Sequence, residues 1–565
     1  MQKIYILFFI FIFVNLQSQT TYTVNIPTDR YQIDKTHQLI VCNIDLSQFP
    51  ELDTYKNIDI ELDSLYSFSA NPGILSHEQS YSVKHKETQY TLYFSKFPLI
   101  AINADQEFVD EPKRPANFVY ADFNEIKKSE VGIELRGGFS QRLPKKTYDL
   151  EFWEDATGDD NKDMQFGNLR EDDDWILDAL HNEPLRLRAF SAHQLWLEMH
   201  TPYYLDEEKD AKSGADVMYV EVFLNNSYNG IYMLSEQVDK KQLKLKSFKH
   251  DKIRGELYKS EAVLNYATYF ARATPYDNTQ DTWDGFELKL PDEDEKIDWS
   301  NLYNFVDFVA NSSDGEFDTG IAKRVHVGNA LDYFIFLNFL RAADNRGKNY
   351  YIGKYNQDQP YFLVPWDLDG TFGLKYDGTY APTTTGILSN TLFDRLFKNL
   401  PTEAIKQKIY ARYTELREGI LSEEKILERL SKNYNLLKDN KVYEREAMVW
   451  PNYPFDKAAK AYIDDWTMTR ISFLDQYFES FNLGITTRES KQQTLTIYPN
   501  PASSILYVES DLQEKTHYEI YTIQGQRVQE GSVDPANFQI NIQHLNAGIY
   551  LFVMGNTTQK ILIDS

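Results

Sequence analysis

The chain has 565 residues and a formal net charge of −26, with 42% hydrophobic and 15% aromatic residues. That length exceeds what one core fills, so three or more folded units are expected, and the acidity argues against a main task of gripping nucleic acid or an anionic membrane. A nucleotide site stays open, because a few basic groups and a metal ion suffice for a triphosphate, whereas the one cysteine, Cys42, excludes an internal disulfide and a thiolate metal cluster.

Residues 1–19 read as a signal peptide. Lys3 supplies the charged start, residues 4–14 are an apolar run of 11, and LQSQ offers small or polar residues for cleavage. A membrane span needs roughly 20 apolar residues, and no later stretch qualifies, so no transmembrane segment is expected. Residues 20–120 alternate apolar and polar in short runs, the pattern of a β-rich unit, with Cys42 as a buried strand residue. Residues 121–485 show strand-like runs first (VGIELRG, TYDLEFW, MYVEVFL, GIYMLSE) and helical patterns after. That order is an α+β pattern with two lobes. A linker follows at 486–492, and residues 493–565 return to strands and turns, a small β-sandwich.

The chemistry concentrates in two motifs of the central region. DNRGKN (344–349) follows an apolar helix pattern, and PWDLDGTFG (365–373) ends the hairpin that comes next. With the hairpin turn centred on Asp358, Asn349 and Asp367 face each other across the ladder, β-carbons roughly 5 Å apart. An amide oxygen and a carboxylate are hard ligands suited to Mg²⁺. Asp344, five residues before Asn349, is placed to orient and deprotonate an attacking hydroxyl. Asp, four residues, Asn, a hairpin and Asp is the layout of a kinase catalytic loop and metal-binding Asp.

Two further segments complete the reading. In LRGGFSQRLPKKTYDLEFW (135–153), Arg136, Gly137, Gly138 and Ser140 form a loop whose backbone can approach a phosphate. Strand alternation places Lys146 on the inward face with Tyr148, Leu150 and Phe152, and Lys145 toward solvent. In NGIYMLSEQVD (229–239), Glu236 and Val238 stand where a hinge would offer backbone groups to adenine, and an ordinary edge strand fits the same residues. His193 and His200, seven apart on a helical pattern, read as surface residues. There is no G-x-S-x-G, H-E-x-x-H, Walker or G-x-G-x-x-G motif.

LRGGFSQRLPKKTYDLEF, DDDWILDALHNEPLRLRAF, YVEVFLNNSYNGIYMLSEQVD, DNRGKNYYIGKY and PWDLDGTFG, in that order, resemble the CotH spore-coat kinase family over residues 121–485. The resemblance implies an atypical protein-kinase-like fold, ATP and Mg²⁺, and phosphorylation of protein serine or threonine. It makes Asp344 the catalytic aspartate, Asn349 and Asp367 metal binders, and Lys146 the phosphate-contacting lysine. It gives Arg188 a structural or phosphate-orienting role and Asp369 a place behind the metal ligands. The tail, with YPNP at 498–501, GQRV and LNAGIY, resembles the type A sorting domain of the type IX secretion system. That implies a Gram-negative member of the Bacteroidota, export by signal peptide and then across the outer membrane, and the secretion machinery as a partner. The leading expectation is a secreted kinase acting on extracellular or surface proteins. The alternative is a non-catalytic cell-surface binding or scaffold protein of the same fold, and a polysaccharide hydrolase with paired carboxylates is a third reading without a specific motif.

Overall fold

The computed structural model describes residues 21–261, 265–398, 402–452, 455, 457–482, 496–509, 515–522, 526–533, 539–554 and 557–564. The expected signal peptide (1–19) and linker (486–492) lie outside the described residues. The chain divides into two compact units, Met1–Asn482 and Leu483–Ser565.

The first unit begins with a seven-stranded mixed sheet spanning Thr21–Asn25 to Thr88–Phe94. Alternation along these strands sends Val24, Ile40, Ile58, Ile60, Val83 and Leu92 into one core. Cys42 is buried there, and burial pushes its thiol up.

Next comes a closed seven-stranded barrel. Its order is Ile126–Leu135, Tyr148–Trp153, Asp174–Asp178, Ser227–Glu236, Val217–Leu224, Leu99–Asn103 and Arg114–Ala121. The strands Leu99–Asn103 and Arg114–Ala121 pair inside this barrel, so hydrogen bonding runs across the boundary that the sequence suggests at 120. Val131, Leu150, Phe152, Trp175, Val220 and Leu234 fill the interior.

The second lobe combines a five-stranded sheet with helices. Its strands run in the order Thr282–Trp283, Phe286–Leu290, Glu256–Ser260, Tyr350–Lys354 and Tyr361–Pro365. The helix Val327–Leu340 is apolar around its circumference and correspondingly buried from Asn329 to Leu340. It packs with Glu403–Glu418 and Ala458–Asn482 in one large core. The C-terminal unit, described by itself, is two antiparallel sheets of three and four strands around Leu506, Ile520, Ile542, Phe552 and Ile561.

One short helix, Val442–Val449, fastens the end of the second lobe to the barrel with two consecutive charged residues. Arg445 donates to Glu221, which also accepts from Ser95 and Tyr228; Arg445 and Glu221 are fully buried. Glu446 accepts from Lys145 Nζ at 2.7 Å, the Ile231 amide at 2.9 Å and Arg186 at 2.8 Å. Gly230 makes this possible: it has φ +103°, and a β-carbon there would lie 2.1 Å from Glu446 Oε1.

All eight tryptophans precede residue 483, so their fluorescence reads the first unit alone. Arg445→Met strands the Glu221 carboxylate in the interior and is expected to cost about 3–5 kcal/mol in urea unfolding. Lys441→Met, which removes the half-exposed partner of Glu444 in the same helix, is expected to cost about 1 kcal/mol or less.

Candidate active site

A cavity of about 430 Å³ opens between the barrel and the second lobe. Arg136, Gly137, Gly138 and Ser140 line it from the barrel side, and Asp344, Lys348, Asn349, Asp367 and Asp369 from the other. The two motifs that stand apart in sequence therefore meet in space.

The hairpin register differs by one residue from that expected. Tyr350 pairs with Pro365, which sets Asn349 opposite Trp366 rather than Asp367. The side chains still converge because both residues leave the ladder in the left-handed region, Asn349 with φ 57° and Asp367 with φ 51°. Asn345 holds this turn pair in place. Its buried amide donates to the carbonyls of Asn349 and Trp366, each at 2.7 Å. Strained backbone of this kind persists only where the surroundings fix it.

The side chains of Asp344, Asn349 and Asp367 have no hydrogen-bond partner among the described residues, although all three line the cavity. Asp369 accepts from the Asn182 amide at 2.7 Å. Asp178, on the barrel strand Asp174–Asp178, adds a further carboxylate. Asp367 is solvent-accessible at the cavity mouth yet densely surrounded by protein atoms. That burial raises its carboxyl; Arg136 and Lys348 oppose the rise, and Asp344 adds to it. Burial and then Asp367 hold Asp369 well above the usual carboxylate range. Burial also raises Asp178, with Asp367 contributing. Three crowded carboxyls that resist ionisation together, beside the Asn349 amide oxygen and the Asp344 carboxyl, fit a hard divalent cation such as Mg²⁺.

The inward lysine is Lys145, not Lys146. The alternation argument fails because the strand begins only at Tyr148, and 143–147 is irregular. Lys145 is fully buried, lines the cavity, and pairs with Glu446. Burial lowers Lys145 to about 8 even with Glu446 beside it. Burial alone would raise Glu446, but Lys145 and Arg186 outweigh it and hold the carboxyl at about 2. Lys146 instead donates to the carbonyls of Gln141 and Leu143, pinning the glycine loop from behind. Within that loop, Gly137 has φ +85° and sits against Ser140 Oγ, which donates to the Arg136 carbonyl.

The remaining candidates fall elsewhere. Arg188 is buried outside the cavity, paired with Glu183 and reaching the Phe372 carbonyl, so it braces the cavity wall. Glu236 is buried and accepts from Lys212, Arg170 and Gln242, which leaves it no place in the cavity lining. Val238 lines a second cavity of about 400 Å³, which shares Arg136 with the first. His193 and His200 are buried rather than on the surface, and His200 bonds Asp332 and Asn329. Glu446, Arg186, Asp178 and Asn182 escape sequence reasoning, since only the fold brings them to the motifs.

A family model described as CotH kinase protein matches residues 133–474. One described as secretion system C-terminal sorting domain matches residues 496–564. Both fall on the segments where the motifs place the two resemblances. The inner spore coat protein H of Bacillus subtilis (strain 168) is 21% identical over 316 residues, covering 52% of this chain and 79% of that protein. Among solved structures, the Helicobacter pylori proinflammatory kinase CtkA aligns at 10% identity and a TM-score of 0.21, over 57% of this chain and 94% of that one. That score is too low to bear on the fold.

Two buried histidines, His181 in the cavity lining and His193 outside it, set an acid response. Burial, then Arg186 and Lys145, lower His181 to about 3, and burial lowers His193 to about 4. Both are neutral in the fold, while in the unfolded chain they protonate below about 6.5. Their contribution is therefore complete above pH ~6.5 and is lost as pH falls toward the folded values, at about 1.4 kcal/mol per pH unit each. His193→Gln is expected to flatten the stability–pH slope between pH 6 and 5 by one proton's worth, read by urea unfolding. An unchanged slope would contradict the buried neutral state.

Proposed function

We propose a phosphotransferase reading from a plain premise: the chain belongs to the CotH kinase protein family. In this reading the protein transfers the γ-phosphoryl group of ATP to serine or threonine of a protein at or outside the cell surface. The carrying observation is the convergence, in one cavity, of three oxygen side chains that have no hydrogen-bond partner among the described residues with a buried ammonium group under a glycine loop.

Asn349 and Asp367 are the residues that would hold Mg²⁺, with Asp369 and Asp178 behind them. The ion would supply positive charge to offset the negative charge that develops as the bond to the leaving group breaks. Lys145 presents a cation fixed by Glu446 to the phosphates, and the 136–140 loop offers backbone amides. Asp344, whose side chain has no hydrogen-bond partner among the described residues, orients the substrate hydroxyl and accepts its proton. The shared Arg136 joins this chamber to the second cavity, where Val238 and its neighbours would receive the nucleoside end. Catalysis of this type is positioning plus charge neutralisation. The tail that matches the sorting domain, together with the leading apolar run, supports export through the type IX machinery to the surface or the medium.

Mg-ATP at about a hundred times its dissociation constant is expected to stabilise the full chain by about 2.7 kcal/mol, and Asp367→Asn to abolish the shift. No shift in either protein would favour a non-catalytic binding role for the same fold.

Phosphosite mass spectrometry with labelled ATP tests transfer itself. Asp344→Ala and Lys145→Met are each expected to lower transfer by about 10²-fold or more. Lys146→Met is expected to retain it within a few-fold. Equal loss in both lysine variants would return the phosphate contact to Lys146.

A further inference from the structure

The segment that leaves Asp369, residues 370–390, has neither helix nor strand beyond one bridge between Leu374 and Tyr380. Side chains hold it by its carbonyls instead. Arg341 Nε donates to Thr385 O at 3.3 Å, and Arg470 Nη1 donates to Thr384 O and Gly386 O at 2.9 and 2.8 Å. Arg341 caps the buried helix Val327–Leu340 in the left-handed region, and Arg346 follows in the 3₁₀ turn Asp344–Arg346.

These three guanidinium groups have no carboxylate within ion-pair distance among the described residues. That is unusual in a chain with 85 acidic against 59 basic residues. Burial and Arg346 lower Arg341, burial and Arg341 lower Arg470 to about 9, and no carboxylate offsets either shift. The Arg346 Nε–H is buried with no acceptor among the described residues. Meanwhile Thr383 and Thr385 are exposed, and their hydroxyls have no hydrogen-bond partner among the described residues. Arginine forks without acidic partners suit the oxygens of a phosphate monoester, which carries close to two negative charges.

We propose that Thr385 is a phosphorylation site whose phosphate is received by Arg341 and Arg346, with Arg470 behind them. The phosphate ties the 370–390 segment to the end of the catalytic turn. Tyr376, in the same segment, lines the cavity, and its carbonyl accepts from the Asn182 amide that also holds Asp369. Ordering the segment therefore steadies Asp369. The supply of phosphate rests on the phosphotransferase reading. Thr385 Oγ bonds to the γ-phosphorus of ATP, the bond from that phosphorus to the β–γ bridging oxygen breaks, ADP leaves, and the hydroxyl proton passes to Asp344 of the catalysing chain.

The test has two arms on the full chain. In the first, Thr385→Glu is expected to melt higher than Thr385→Gln, and the difference to vanish when Arg341→Gln and Arg346→Gln are added. Equal melting of the two variants with both arginines present overturns the site, whether or not the protein is a kinase. In the second, incubation with Mg-ATP is expected to place phosphate on Thr385, to fail in Asp344→Ala, and to be restored when that variant is mixed with unmodified protein. Transfer to another protein with residues 383–385 left bare overturns the modification. Absence of any transfer sinks the phosphotransferase reading instead, and the melting comparison then decides the arginine site alone.

Discussion

The Glu446 carboxylate, buried against Lys145 and Arg186 and accepting the Ile231 amide, is the contact on which the cavity depends. A lysine taken wholly out of water needs a fixed anion, and this anion comes from a helix three hundred residues later in the chain. The neighbouring Arg445 repeats the arrangement with Glu221. Two buried pairs from one helix make the barrel and the late helices a single cooperative body. The barrel cannot present Lys145 correctly until the C-terminal part of the second lobe has folded onto it.

A second constraint works against the first. Asp178 from the barrel crowds Asp344, Asp367 and Asp369 from the other wall, and burial penalises the ionisation of Asp178, Asp367 and Asp369. Arg136 and Lys348 offset part of this from the cavity itself. The left-handed turns at Asn349 and Asp367 add backbone strain, held by the Asn345 amide. Repulsion and strain at one site are balanced from behind by hydrogen bonds and a large apolar core.

Much of this was legible in sequence where the information is local. DNRGKN and PWDLDG declare themselves by residue type and short spacing, and the hairpin between them follows from its turn. The register was legible only to within one residue, because NQDQP admits more than one turn geometry. Left-handed φ at Asn349 and Asp367 then rescued a convergence that the assumed pairing explained wrongly. The lysine error has a similar root: alternation was extended past the start of the strand at Tyr148 into an irregular segment. Glu446, Asp178 and Arg186 carry no local mark at all, since their meaning arises from contacts across the whole unit. His193, in the helix Arg188–Met199, and His200, which caps it, give no surface pattern to read because that helix is buried on nearly every side.

Gly230 carries a consequence beyond this one chain. The space a methyl group would fill is taken by a glutamate oxygen from the other end of the domain. The two positions thus constrain each other sterically. A homologue with any side chain at the first must have abandoned or relocated the second, and with it the anchor of its buried ammonium. Reading those two columns of an alignment together would sort lineages that keep this charge anchor from those that retain only the scaffold.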